Sequence, residues 1–256
     1  GEPVNLLIQT RAEAKKLRRR RLPLLFFMVF LLIAAWILWC LDDLDTSRLN
    51  DVGAMLYINL LLMNTILSPV VLAAAASRMC DMEQAGNTYK WLCTMERPAH
   101  IYRGKMLVGA LCVLLFALAQ TLLLALLLTI YGGSVLGICT PFFMSLLVYF
   151  LALFTLQLGL SLRFSNQLSP IFISIGGTFA GLFSWFLNQL PLRYLLPWGY
   201  LAALCPAGYN YDRAARYTAY YWHPYPAVWL AVLALFFLFL YGLGRRNFCK
   251  IVEENI

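Results

Sequence analysis

Six windows of the sequence hold no Asp, Glu, Lys or Arg: Leu22–Leu41, Ala54–Ser77, Met106–Tyr131, Pro141–Leu162, Leu168–Leu190 and about Pro224–Gly244. Each reaches the roughly 20 residues that an α-helix needs to cross a hydrocarbon core about 30 Å thick. Lipid offers no partner to backbone N–H and C=O groups, so segments of this kind have to be helical. A closed β-barrel would need short alternating segments instead, and none is present. Composition agrees: 62% of the 256 residues are hydrophobic and 12% charged, against about 25% charged in a soluble domain. A soluble enzyme, a disordered chain and a nucleic-acid-binding domain are all disfavoured. The first window is not a cleavable signal peptide, because it lacks a small-x-small exit and runs into Asp42-Asp43.

The net charge of +8 is a topology signal rather than a nucleic-acid patch. Arg11, Lys15, Lys16 and Arg18 to Arg21 precede the first window; Arg78, Lys90, Arg97, Arg103 and Lys105 lie between the second and third. Arg163 follows the fourth, and Arg245, Arg246 and Lys250 follow the sixth. That places 16 basic residues on one side, against Arg48, Arg193, Arg213 and Arg216 on the other. By the positive-inside rule both termini are expected in the cytoplasm. The first outside loop is acidic, with Asp42, Asp43, Asp45 and Asp51.

Three segments outside the windows have character of their own. Residues Val4–Arg21 read as an amphipathic helix, with Val4, Leu7 and Ile8 on one face and basic residues toward the head groups; a plain polybasic anchor is the competing reading. Arg78–Lys105 forms the one sizeable cytoplasmic loop. In it Glu83 precedes a turn at Gly86, and a short helix over about Asn87–Met95 presents Trp91 and Leu92 and is expected to end at Pro98. The outside connection Asn188–Tyr225 holds an apolar stretch that Pro191 and Pro197 make too broken to span, then Tyr209, Tyr211, Tyr217, Tyr220, Tyr221 and Trp222. These aromatic residues read either as interfacial belt anchors or as a contact surface for an amphipathic ligand.

Catalytic chemistry is missing. The two histidines, His100 and His223, are expected on opposite sides, and no His, Cys or carboxylate cluster has metal-ligand spacing. The seven cysteines contain no C-x-x-C pair, and no G-x-S-x-G elbow occurs. The nearest approach to a phosphate loop puts Ala99 where Gly is needed and Met106 where Ser or Thr is needed. The windows hold only neutral polar groups such as Asn59, Asn64, Gln120 and Gln157, which read as helix–helix contacts before transport sites. Energy for uphill transport would have to come from another chain. Gly176, Gly177 and Gly181 allow close helix packing or a subunit contact in the fifth window.

The pattern over almost the whole chain resembles an ABC transporter permease of the type-2 exporter superfamily. Within the coupling loop the order Glu83…Gly86-Asn87-Thr88-Tyr89-Lys90-Trp91-Leu92…Arg97-Pro98…Tyr102-Arg103-Gly104-Lys105 is similar to the family's acidic residue, Gly-Thr-like turn, coupling helix, Arg-Pro stop and re-entry lysine, with Asn87 inserted as a departure. The resemblance implies an all-α membrane protein. It has six transmembrane helices, an amphipathic elbow (1–21), a cytoplasmic coupling helix in loop 78–105 and an extracellular re-entrant segment in 188–225. Glu83, Gly86, Asn87, Lys90, Trp91 and Leu92 would couple to a separate ABC ATPase, present in two copies, on which ATP and Mg sit; the permease itself binds no cofactor and catalyses nothing. Closure of the ATPases would shift the helices between two arrangements.

The chain is most similar to the permeases of lantibiotic immunity and antimicrobial-peptide resistance, which work in the bacterial plasma membrane. A second homologous permease in a heterodimer, membrane lipids and a cationic amphipathic peptide substrate are then the expected partners, with no nucleic acid. A type-2 permease for a drug or lipid is the main alternative, followed by an intramembrane enzyme or an assembly protein.

Overall fold

The computed structural model describes residues 21–42, 44–85, 98–187 and 191–255. Six long helices carry the architecture: α1 (Leu22–Asp42), α2 (Val52–Ala85), α3 (Pro98–Tyr131), α4 (Val135–Arg163), α5 (Leu168–Phe186) and α8 (Ala227–Asn255). Each contains a stretch long and apolar enough to cross a membrane. Between α5 and α8 lie the short helices α6 (Leu192–Leu195) and α7 (Tyr200–Leu204), then an antiparallel hairpin of β1 (Ala207–Asp212) and β2 (Tyr217–Trp222). The hairpin marks one end of the bundle; α1 begins and α8 finishes at the other.

Two boundaries move relative to the apolar windows. Residues 78–85 extend α2, and residues 98–105 form the first turns of α3, so both flanks of the expected loop are helical. Nothing between Arg78 and Ala85 breaks a helix. Pro98 opens α3, at the position where its missing N–H costs nothing. The connection from α3 to α4 is tight because Gly132 and Gly133 take φ of +87° and +150°, a region that other residues enter only at a cost.

The expected helical membrane fold is present, and among the described residues the hairpin adds one two-stranded sheet to it. Tyr and Thr are good strand formers. The turn is built by Asp212, whose Oδ1 accepts from the N–H groups of Ala214 and Ala215 at 2.8 and 3.3 Å, and by Arg216 at φ +49°.

Helices α2 and α4 form the centre. α2 packs on α1, α3, α4 and α5, while α4 packs on α2, α3 and α8. Lipid supplies no hydrophobic drive to bring helices together, so close approach and interhelical hydrogen bonds do it. The side-chain amides of Asn64 (α2) and Gln120 (α3), both fully buried, bond each other from both ends. Lys105 Nζ, also buried, donates to the Met79 carbonyl at 2.8 Å, tying α3 to α2. Ser174 Oγ on α5 donates to Pro69 O on α2 at 2.6 Å, and Trp185 Nε1 donates to Thr65 Oγ1 at 3.0 Å. The outward faces are apolar: Leu32 on α1, Phe179 on α5 and Leu235 on α8 are 57%, 59% and 66% exposed.

Candidate functional site

At the hairpin end, the segment after α5 turns back into the bundle. The five residues of α7 are all buried, and Trp198, just before them, lies against α5. A Cβ at Gly177 would stand 2.2 Å from the Trp198 indole, and one at Gly181 would stand 2.8 Å from both Thr65 and the Trp198 carbonyl. That carbonyl also accepts from Tyr149 Oη at 3.3 Å. Gly177 and Gly181 therefore form a seat for Trp198 inside this chain. Gly176 faces outward with nothing within 4 Å, on the side of α5 that also carries the exposed Phe172, Phe179, Phe183 and Phe186.

The hairpin is held down by the start of α2. Asn50 Nδ2 donates to Tyr220 O at 2.8 Å, and Tyr220 N donates to Asn50 Oδ1 at 2.7 Å. Asp51 caps α2 by accepting from Ala54 N at 2.9 Å, while its other oxygen accepts from Trp222 Nε1 at 2.6 Å. The Trp222 ring meets Tyr57 edge-on at 5.6 Å.

Between α2, α5 and the hairpin lies a cleft of about 290 Å³. It is lined by Ile58, Asn59, Leu62, Trp185, Phe186, Tyr209, Tyr211, Thr218 and Tyr220, and no charged side chain faces it. Three of the six aromatic residues expected from the sequence thus converge. The other three do different work. Trp222 packs on Tyr57, Tyr221 lies over Gly208 and meets His223 edge-on, and Tyr217 pairs with Asp212 across the strands. Asn59, Trp185 and Phe186 were not expected in this place. The tryptophan close to the end of an apolar window was the signal available for the last two.

The acidic residues near this end are partly occupied. Ser47 donates its hydroxyl and its N–H to Asp45, and Arg48 pairs with the same carboxylate at 3.0 Å; these contacts hold Asp45 below the usual carboxylate range. Cys205 donates to Ala207 O at 3.3 Å, and burial pushes its thiol up to about 12.

Glu83 belongs to the last turn of α2. Gly86, Asn87, Lys90, Trp91 and Leu92 lie outside the described residues, as does the elbow region 1–20. Among the described residues no three His, Cys, Asp or Glu side chains group to hold a metal.

A model of the ABC-2 family transporter proteins matches residues 7–181. The chain belongs to the ABC-2 transporter family. None of the curated proteins compared with it matches. ABC-2 permeases are non-catalytic transmembrane components whose ATPase is a separate chain, so this permease is a multi-pass membrane protein that works with an ABC ATPase. The family match ends at Gly181, so Trp198, the hairpin and α8 lie beyond the matched region.

Proposed function

We propose that this ABC-2 permease removes cationic amphipathic peptides of the lantibiotic type from the membrane, for self-immunity or resistance. The observation that carries the proposal is the aromatic, uncharged cleft formed by Tyr209, Tyr211, Tyr220, Trp185, Phe186 and Asn59. Aromatic faces receive both apolar side chains and Lys or Arg cations. With Asp45 and Asp51 engaged in local bonds, the bilayer rather than a carboxylate cluster gathers the peptide, and capture is lateral.

In this reading the hairpin end faces out of a bacterial plasma membrane and both termini are cytoplasmic, as the basic-residue asymmetry requires. The α6–α7 segment serves as the re-entrant element and residues 1–21 as the elbow. A second homologous permease completes the pathway; if α5 meets it, the contact face offers phenylalanines, since Gly177 and Gly181 are taken by Trp198. Two ATPase copies bind ATP and Mg and engage the 86–97 segment, with Glu83 and Lys90 fixing the contact by charge.

Cells carrying the complete transporter should tolerate a panel of lantibiotics better than cells with an ATPase-dead version. Tyr209→Ala combined with Tyr211→Ala should remove most of that protection while the ATPase stays bound. Equal sensitivity across the panel refutes the peptide assignment. Because the cleft carries no carboxylate, a neutral amphiphile also fits it, and protection confined to uncharged drugs or lipids would establish the alternative substrate class.

A further inference from the structure

At the end opposite the hairpin, α3 and α8 change from apolar to cationic at the same level. Tyr102 of α3 packs between Tyr241 and Phe248 of α8, with ring centroids 5.6 and 6.4 Å away. Arg103 follows Tyr102, and Arg245 and Arg246 lie one turn beyond Tyr241. From Arg103 a groove of about 390 Å³ runs toward the bundle centre, lined by Met106, Leu107 and Ala110 of α3, Leu151 of α4, and Phe237 and Leu238 of α8. The seven helical steps from Arg103 to Ala110 give it a length of about 10 Å. Its lips are open, with Leu107 and Leu238 45% and 59% exposed. Tyr241 also borders a second hollow that carries Arg245, Arg246 and Lys250. Among the described residues, Arg103, Arg245 and Arg246 have no hydrogen-bond or ion-pair partner.

We propose that this groove is a binding site for an anionic phospholipid, with an acyl chain between α3 and α8 and the headgroup phosphate at Arg103 and Arg245. An apolar slot with a cationic mouth matches a lipid carrying a negative phosphate at the head of an apolar chain, and guanidinium is suited to phosphate. Charge decides against another segment of this chain as the occupant. The N-terminal stretch brings Arg11, Lys15, Lys16 and Arg18 to Arg21, which the mouth would repel. The site is independent of what the transporter exports.

The test uses the purified full-length chain in detergent, titrated with phosphatidylglycerol or with phosphatidylcholine of the same acyl chains, bound lipid being counted by native mass spectrometry. Phosphatidylglycerol should be retained in preference. Arg103→Gln with Arg245→Gln should weaken retention roughly 30-fold, from about 1 kcal/mol per cation near an anionic surface and tenfold per 1.4 kcal/mol. Ala110→Leu, which fills the slot and keeps every charge, should weaken it too, and decides the matter should the double variant fail to fold. Arg163→Gln, a cation at the same end on α4, should change nothing, and millimolar inorganic phosphate should not displace the lipid. Undiminished retention in the double variant or in Ala110→Leu, an equal loss with Arg163→Gln, or displacement by phosphate alone would each overturn the proposal.

Discussion

Adjacent glycines in α5 should respond to alanine in opposite directions. At Gly177 the new Cβ would stand 2.2 to 2.4 Å from three atoms of the Trp198 indole, where ordinary contact begins at 3.4 Å. The ring has to move by more than 1 Å. It has little freedom to do so, because the carbonyl of its own residue is seated against Gly181 and bonded by Tyr149. Overpacking of this kind costs about 1–3 kcal/mol, against about 1 kcal/mol gained from replacing glycine inside a helix. Gly177→Ala should therefore destabilise by up to about 2 kcal/mol. Gly176→Ala meets open space and should be neutral or stabilising by up to about 1 kcal/mol. For a chain of this size each kcal/mol moves an unfolding midpoint by about 2–4 °C, so the two variants should differ by several degrees. Tryptophan fluorescence melting of the purified permease at one scan rate measures this. Coincident midpoints, or a lower one for Gly176→Ala, would show that Trp198 does not occupy the glycine seat.

The buried amide pair offers a second measurement: Asn64→Leu or Gln120→Leu alone leaves one amide without its partner, at about 1–3 kcal/mol. The double change should recover part of that loss, with a coupling of about 0.6–1.7 kcal/mol as for polar pairs between membrane helices; strictly additive melting shifts would contradict the pairing. Orientation can be read with an impermeant maleimide on intact cells. Cys205, with its thiol at about 12, is thiolate to only about one part in 10⁴ at pH 8 and should label slowly. A cysteine introduced at the exposed hairpin turn by Ala214→Cys should label readily, and labelling only after permeabilisation would invert the topology. For the coupling segment, Trp91→Ser with Leu92→Ser should leave the six helices folded yet release the ATPase or uncouple its hydrolysis from export. Full association together with full export would remove these residues from the coupling role.

Much of the helical framework was legible because freedom from charge over about 20 residues is a local property of the chain. The helix ends were less so. Residues 78–85 and 98–105 carry charge and read as loop, yet nothing in them stops a helix, and α2 and α3 continue through them. The hairpin left almost no trace. Its second strand places tyrosines on both faces, at 217, 220 and 221, so it lacks the alternation that marks a half-buried strand, and the residues that hold the hairpin, Asn50 and Asp51, stand about 170 positions earlier. The aromatic residues of the cleft were visible as a group, but which of them converge was not. Tyr209, Tyr211 and Tyr220 share one side of the hairpin because of the register that pairs Tyr209 with Tyr220.

By itself, then, the sequence determined that the chain is a helical membrane protein with two polar ends of unequal charge. Hydrocarbon imposes those terms on each segment separately, whatever its neighbours are. Only the tertiary structure decided that Gly177 and Gly181 receive Trp198, that Asp51 serves both α2 and the hairpin, and that Tyr241 borders both the groove at Arg103 and the hollow at Arg245. Each of these depends on the relative rotation and depth of helices far apart in the chain. That relation is set by close packing and interhelical hydrogen bonds, which no single window of residues encodes.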